Sequence, residues 1–218
     1  MYRKLQAPEN DLSTEELFAR AIEDLREGDS EHLDALVALH GRPTQQVIDA
    51  CLGLCRSARP HERSVGVRVL RELRHPWVDP AVIWDPVAST VRDLVESDVD
   101  PDVVRWAISC LGYKAKDPAS AAAVMRHVGH PDAAVRFAVA AALPGIAAGD
   151  EVDADEAVIE VLTALADDPD ADVRAYALMG LVDDLELTEQ LRPLLEAHVD
   201  DPDDHIRRLV ADALRRAE

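Results

Sequence analysis

Cysteine, aromatic residues and long apolar runs are all scarce in this 218-residue chain. Its three cysteines, Cys51, Cys55 and Cys110, are too few and odd in number for a disulfide framework, which favours a reducing compartment. No stretch approaches about 18 apolar residues without a charge, so a transmembrane helix is not expected. The first residues carry charges but no apolar core, so a signal peptide is not expected either. The sequence therefore predicts a cytoplasmic protein.

Basic residues are also scarce, because 23 Lys and Arg stand against 43 Asp and Glu, a formal net charge of −20. A protein that coats nucleic acid needs a cationic face to neutralise phosphates, so nucleic acid is not an expected partner. The same balance argues against adsorption to an anionic membrane surface. Apolar residues nevertheless make up 48% of the chain, which is enough for a folded core despite the charge.

One short phrase, an aspartate or histidine followed by Pro-Asp and then by a Val-Arg or Ile-Arg pair, recurs along the chain. Four clear copies begin at Asp100, His130, Asp168 and Asp201, and a degraded copy begins at Pro60. The aspartate can cap free helix amides, and proline suits the first helical position. Apolar residues then recur at helical spacing, and another amphipathic segment precedes each copy. Each unit is therefore predicted to be a helix, an Asp-Pro turn and a second helix.

The first unit lacks this phrase but keeps the helical design, with Ser13 and Glu16 placed as a capping box. No strand pattern is found along the sequence, so the chain divides into six predicted helix pairs. The predicted pairs are 13–27 with 30–40, 43–57 with 61–74, 84–96 with 101–114, 117–128 with 132–147, 154–167 with 171–184, and 187–199 with 204–216.

The D-P-D-x-x-V-R-x-x-A phrase resembles HEAT repeats, in particular the short bacterial HEAT-like repeats also found in phycobilisome lyase subunits. The resemblance covers residues 43–218, and residues 13–42 share only the helical pattern. It implies an all-α fold, an α-solenoid of about six antiparallel helix pairs in a right-handed superhelix, as a single domain over residues 1–218. It also implies that the second helix of each pair lines the concave face.

Each copy of the phrase contains an arginine that resembles the ladder arginines that hold neighbouring HEAT repeats together. Repeat proteins are stabilised mainly through interfaces between neighbouring units, which favours this structural role. The predicted ladder residues are Arg63, Arg105, Arg136, Arg174 and Arg207.

The outer side of the second helices carries apolar and aromatic residues where a solvated face would be polar. A residue two places after the first core valine lies about 200° around the helix and points away from the core. Contiguous exposed apolar patches mark interaction sites, so a partner-binding groove is predicted here, with an arginine toward each end. The alternative is a small helix rotation that buries Trp106 and Phe137 between repeats. The predicted partner-binding residues are Trp106, Tyr113, Phe137, Met179, Arg68 and Arg208.

Acidic residues cluster at the predicted turns, in 150–156, 167–172, 183–184 and 200–204. Equivalent turns of a solenoid line up along one edge, so this row of carboxylates would steer a cationic partner. Helix capping with solubility, or adaptation of the source to salt, would explain the charge without any partner. The sequence thus predicts a basic protein partner and leaves open a homodimer through the apolar patch.

Patterns typical of catalytic or metal sites are mostly absent, including the P-loop, the nucleophile elbow and the H-E-x-x-H helix. Cys51 and Cys55 stand four apart, as metal ligands would, but no second pair completes a site, so buried thiols are expected. No metal or cofactor is predicted. DNA glycosylases of this fold carry concave tryptophans, yet the place one turn from Trp106 holds Cys110 and not an aspartate.

These observations favour a non-enzymatic scaffold that binds a basic protein through a concave apolar groove and acidic turns. A sharper version makes the chain the immunity protein that neutralises a basic toxin, since blocking a cationic active site needs surface charge and no chemistry. The rival class is a HEAT-like enzyme or enzyme subunit, similar to a bilin lyase or a DNA glycosylase, that acts on a cofactor or base in the groove. The sequence alone leaves these alternatives open.

Overall fold

The protein is helical throughout the residues that the computed structural model describes, which are 11–28, 33–73, 80–147 and 156–216. Over those ranges every regular element is a helix and no strand occurs, as the all-α prediction requires. The helices are α1 Thr14–Glu27, α2 Asp34–His40, α3 Gln45–Leu54, α4 Pro60–Glu72, α5 Pro80–Ser97, α6 Pro101–Lys114, α7 Pro118–Met125, α8 Ala133–Ala147, α9 Glu156–Leu165, α10 Ala171–Met179, α11 Arg192–Ala197 and α12 Asp204–Arg216.

Most helix boundaries fall within a few residues of those predicted. The fifth helix begins at Pro80, four residues before its predicted start, and the eleventh begins at Arg192, five residues after its predicted start at 187. The tenth ends in a π-helical turn over Gly180–Asp184. The predicted segments at 30–32, 74 and 154–155, and most of the acidic run 150–156, lie outside the described residues.

The predicted capping box at the start of α1 is formed. Ser13 Oγ accepts a hydrogen bond from the Glu16 N–H at 3.2 Å, and Glu16 Oε2 accepts one from the Ser13 N–H at 2.7 Å. Gly28 ends the helix with φ 75°, a left-handed conformation that glycine adopts without steric cost. Local sequence therefore fixes both ends of this helix.

A shared turn precedes the second helix of each pair from α4 onward. Its first residue accepts a hydrogen bond from the backbone N–H two positions later, at 2.8–3.1 Å. The later residue is the N-cap, and in most units it is an aspartate that accepts from the first free amides of the helix. The first residues of these turns are Ser57, Asp98, His130, Asp168 and Asp201.

The chain forms two compact units, Met1–Cys110 and Leu111–Glu218. In the first, α1 packs on α2 and α4, and α3 packs on α4. Its interior includes the fully buried side chains of Leu17, Val47, Val65 and Val69. Burying such side chains is worth roughly 1.5–3 kcal/mol each, which is the main force that holds these helices together. The expected single domain over residues 1–218 stays a prediction.

In the second unit, α8 packs against α7, α9 and α10, and α10 packs against α12. Two close backbone approaches bring the second helices together at glycines. A Cβ atom built on Gly112 would lie 2.6 Å from Ala142 Cβ, and one on Gly180 would lie 2.5 Å from Pro144 Cγ. Glycine is needed at both positions because any side chain would collide with the adjacent helix.

Helix α12 shows how the core face continues to the last described helix. Ile206, Val210 and Ala213 are fully buried at positions i, i+4 and i+7, while the rest of the helix is largely polar. None of the helices in the described ranges is both long enough and apolar enough to cross a lipid bilayer.

Candidate functional site

Three of the predicted ladder arginines bind a buried carboxylate in the next turn of the chain. In each case Nε and Nη2 donate to the two carboxylate oxygens, which is the bidentate geometry that suits a guanidinium. The carboxylate side chains are only 3–5% exposed, so these are buried ion pairs. The pairs are Arg63 with Asp98 at 2.5 and 2.9 Å, Arg136 with Asp168 at 2.6 and 2.9 Å, and Arg174 with Asp201 at 3.0 and 2.9 Å.

These three arginines and Arg207 also bind the backbone of their own turn. Arg174 Nη1 donates to the Asp168 carbonyl at 2.8 Å, and Arg207 Nη1 donates to the Asp201 carbonyl at 2.5 Å. Asp168 therefore receives Arg136 on its side chain and Arg174 on its backbone. This continuous chain of bonds ties the last three second helices of the unit to one another.

Arg105 and Arg207 do not reach a carboxylate in a following turn. Arg105 donates to Asp102 on its own helix at 2.6 and 3.0 Å, and Arg207 pairs with Asp204 on its own helix. For Arg105 the reason is register. Arg174 lies four residues after its N-cap Asp170, whereas Arg105 lies five residues after the cap of α6, where Val104 takes the ladder position. One residue rotates a side chain about 100° around a helix.

The ladder pairs should make stability sensitive to acid. The hydrogen bond from Arg174 holds the pKa of Asp201 below its usual range, and Arg136 acts in the same way on the pKa of Asp168. Burial opposes the charge of Asp98, yet Arg63 still lowers its pKa. A depressed folded-state pKa contributes stability that is present above the unfolded value, about 3.9, and is lost as pH falls through the folded value.

We therefore expect the difference in unfolding free energy between the wild type and Arg174→Ala to shrink as pH falls below about 4. Protonation removes the ion pair from the wild type and relieves the unpaired Asp201 in the variant. Urea unfolding of both proteins at pH 7, 4 and 3 measures this difference. A gap that is constant or wider at pH 3 would contradict the assignment of Asp201 as a charged ladder residue.

Three arginines surround Trp106 on α6. The guanidinium carbons of Arg68, Arg105 and Arg71 lie 4.6, 5.0 and 5.4 Å from the centre of the indole ring. These distances are those of cation–π contacts. Trp106 is half-buried, and its Nε1 is buried without a hydrogen-bond partner among the described residues. Trp106, which the sequence predicted as a groove residue, is therefore in contact with three guanidinium groups.

The Asp102 carboxylate binds two of these three arginines, Arg68 and Arg105. It accepts hydrogen bonds from Ser64 Oγ at 2.6 Å, from Arg68 Nη2 at 3.1 Å and from Arg105 Nη2 at 2.6 Å. Burial opposes its charge, but these donors outweigh burial and lower the pKa of Asp102. Beside it lies a cavity of about 530 Å³, within the range of small-molecule pockets. The cluster and cavity therefore form a charged site that the sequence did not indicate as a unit.

The second unit carries an aromatic pair on adjacent second helices. The ring centres of Phe137 on α8 and Tyr176 on α10 lie 4.4 Å apart, inclined by 60°. Tyr176 is 39% exposed and Phe137 is half-buried. Tyr113, at the end of α6, is 64% exposed, the most open of the predicted aromatic residues.

Tyr176 was missed at the sequence level because it was counted on the core face. The N-cap register corrects this, since Tyr176 lies six residues after its cap, as Trp106 does after the cap of α6. Of the other predicted contact residues, Met179 is half-buried on α10. Arg208 is exposed on α12, and its Nη2 lies 3.9 Å from Asp204.

The acidic turns contain two kinds of aspartate. Asp168 and Asp201 are buried and engaged in the ladder, so they are unavailable to a partner. Asp167, Asp172 and Asp200 are exposed. Part of the acidity therefore serves the fold, and the rest faces solvent.

All three cysteines lie in the core, as expected for structural thiols. Burial raises the pKa of the Cys55 thiol to about 12 and that of Cys51 further still. Such thiols are not nucleophiles at neutral pH. Within the described ranges, no three His, Cys, Asp or Glu side chains are grouped so as to hold a metal ion.

Comparison with known proteins gives family evidence for the middle of the chain and fold evidence for nearly all of it. Residues 88–182 match the family model of HEAT repeats. No curated protein matches the chain in sequence. The solved structure of YibA from E. coli is similar with a TM-score of 0.72 and 20% identity, over 98% of this chain and 77% of that one.

Two designed armadillo repeat proteins also share the fold. One, solved in complex with the peptide (KR)4, has a TM-score of 0.62 and 15% identity, covering 92% of this chain and 99% of the other. The second has a TM-score of 0.59 and 16% identity, covering 92% of this chain and all of the other. The family match, the Asp-capped helix pairs and the arginine ladder agree. The identification of HEAT repeats from the sequence is therefore confirmed, and this chain is a helical-repeat protein whose residues 88–182 match the HEAT-repeat family.

Proposed function

We propose that the protein is a non-catalytic scaffold that binds a basic segment of a partner protein on the second helices of its second unit. A fold built from helical repeats is compatible with a scaffold for protein interaction. The observation that carries the proposal is the aromatic pair Phe137–Tyr176, part-exposed and flanked by carboxylates. We define the residues Phe137, Asp172, Tyr176, Met179 and Asp183 as the acidic aromatic face.

The spacing of these residues supports one continuous surface on α10. Asp172 precedes Tyr176 by four residues and Met179 follows it by three, so the three side chains lie on one side of the helix. Asp172 is exposed at one end of this stripe, and Asp183 is exposed at the other, where it pairs with Arg216 at 2.8 Å. Asp172 is therefore the carboxylate of the face that a cationic partner would contact first. The aromatic contact with Phe137 extends the surface onto α8.

A lysine or arginine side chain has two complementary partners on such a surface. Its aliphatic stem can lie along the rings of Phe137 and Tyr176, and its charge can face the Asp172 carboxylate. The formal charge of −20 raises the encounter rate with any cationic partner. The similarly folded designed protein held the peptide (KR)4, which alternates lysine with arginine, and this supports the basic character of the partner.

We expect the full chain to bind the peptide (KR)4 saturably at low salt and more weakly as salt rises. Tyr176→Ala should weaken binding by about tenfold, because one aromatic anchor commonly contributes over 1 kcal/mol. Asp172→Asn should weaken binding to a similar extent and flatten the salt dependence. Fluorescence anisotropy with a labelled peptide at several salt concentrations measures all three proteins.

The matched control is Glu160→Gln, which removes one exposed negative charge from the first helix of a pair in the same unit. It should leave peptide affinity nearly unchanged. Equal weakening by Glu160→Gln and Asp172→Asn would show that only total charge matters and would reject the face. Absence of peptide binding by the wild type at low salt would reject the basic partner.

A further inference from the structure

A cavity lined by several arginines lies in the first unit of this strongly acidic chain. Its volume is about 530 Å³, and it lies between α1, the start of α4 and the start of α6. Four side chains that can carry positive charge line it, and two carboxylates share the wall. These six residues are Arg26, His61, Arg68, Arg105, Asp100 and Asp102.

Both carboxylates in the wall are already engaged. Asp100 Oδ1 accepts the backbone N–H groups of Asp102 and Val103 at 3.0 and 3.2 Å, so it serves as the N-cap of α6. Asp102 accepts from Ser64, Arg68 and Arg105. Asp100 therefore caps a helix and Asp102 fixes the two guanidinium groups, while Arg26 at the rim is paired with Glu23. The site consequently depends on the remaining N–H groups of Arg68 and Arg105 and not on an excess of positive charge.

Donor groups remain available in the same place. The hydrogen bonds of Arg105 to described residues use Nε and Nη2 only, which leaves Nη1 without such a bond. Arg68 Nε is buried, and no described residue accepts a hydrogen bond from it. A buried donor without an acceptor is destabilising, so a ligand oxygen that reached Arg68 Nε would supply the hydrogen bond it lacks.

The arginines are also held in place before any ligand arrives. Arg68 is fixed by Asp102 and by the indole face of Trp106, and its side chain is 11% exposed. Arg105 is fixed by the same two groups and is more open to solvent. Such restraint reduces the entropy that the side chains would lose on binding an anion.

We propose that this cavity binds an oxyanion group, a phosphate or a carboxylate, carried by a small anionic molecule. Guanidinium groups match the paired oxygens of both anions. Arg68 and Arg105 hold the group, and Arg26 lies exposed at the rim, where it is paired with Glu23. The site is separate from the acidic aromatic face and does not depend on it.

The test uses the full chain, inorganic phosphate and malonate as probes, and sodium chloride to keep ionic strength constant. Isothermal titration calorimetry should show saturable binding of at least one probe. Arg105→Gln should weaken it by about tenfold or more, since a charge-assisted hydrogen bond contributes roughly 1.5–3 kcal/mol. Circular dichroism checks that the variant is folded, which is expected because Asp102 keeps Ser64 and Arg68 as donors.

Arg26→Gln provides a second variant at the exposed rim, where folding is not at stake, and should weaken binding less than Arg105→Gln does, because Arg26 is already paired with Glu23. The matched control is Arg208→Gln, an exposed arginine near an aspartate on α12, which should change nothing. Binding of phosphate alone, or of malonate alone, identifies the chemical source of the oxyanion. Binding of neither probe, or an equal loss in Arg208→Gln, overturns the proposal.

Discussion

Replacing Arg174 with alanine is expected to lower the free energy of unfolding by about 3–5 kcal/mol, as for other broken buried ion pairs. The Asp201 carboxylate would remain in the core, 4% exposed, without the two guanidinium donors that now satisfy it. His198 would remain beside Asp201, with its Nδ1 3.5 Å from the carboxylate, which is the upper limit of a hydrogen bond. Urea unfolding followed by circular dichroism at pH 7 measures the loss.

Arg207→Ala is the matched control, because Arg207 occupies the same place four residues after its N-cap. Its carbonyl bond to the preceding turn is equivalent to that of Arg174, but its ion pair lies on its own helix and is solvent-accessible. Surface pairs contribute about 0–1 kcal/mol, so this variant should lose about 1 kcal/mol in all. Equal losses in the two variants would show that the buried pair adds nothing.

A second substitution separates the buried charge from the lost packing. Adding Asp201→Asn to Arg174→Ala removes the unpaired charge and keeps an oxygen that can accept the Asp203 amide. The double variant should therefore be more stable than Arg174→Ala alone. If it is less stable, the cost of Arg174→Ala comes from packing and the ladder interpretation fails.

The helical repeat architecture was predictable because its causes are local. Apolar spacing, the Ser13–Glu16 capping box and the aspartate caps each act within a few residues, and the structure forms helices where they predict them. The family match spans residues 88–182, a range that contains three of the four clear copies of the phrase. Sequence was therefore sufficient for the element order and for the class of fold.

The site was harder to predict because it depends on rotation about each helix. In the turn of Asp168 the proline precedes the N-cap, whereas Pro101 follows the N-cap of α6. Aligning the repeats on their Val-Arg pairs therefore set Arg105 against Arg174, although the caps place Arg105 one residue further along its helix. The same error hid the match between Trp106 and Tyr176. A single residue changes which side chains meet, and only the cap geometry shows it.

The clustering of arginines around Trp106 could not be predicted from the pattern of any single helix, because the residues come from two helices. Arg68 and Arg71 come from α4, and they reach the indole because α4 lies beside α6. The sequence indicated an outward-facing tryptophan, which is half of the arrangement. The contact between Trp106 and the arginines of α4 joins residues far apart in the sequence, and helical periodicity carries no information about such contacts.

Gly112→Ala is expected to destabilise the protein by about 1–3 kcal/mol, as other overpacked interiors are. The new Cβ would lie 2.6 Å from Ala142 Cβ and 2.7 Å from Ala142 Cα, so the backbones of α6 and α8 would have to separate. The contact is reciprocal, since a Cβ on Gly145 would lie 2.7 Å from the Gly112 carbonyl oxygen. The higher helix propensity of alanine recovers only about 1 kcal/mol.

The same substitution at Gly53 should have the opposite effect on stability. Gly53 lies within α3, and a Cβ there would meet no atom within 4 Å. Gly53→Ala should therefore stabilise the protein by roughly 0.5–1 kcal/mol through helix propensity alone. Thermal and urea unfolding should show a lower free energy of unfolding than the wild type for Gly112→Ala and a higher one for Gly53→Ala. If both variants are stabilised, α6 and α8 can separate at little cost, and the glycine contact does not hold the second helices in place.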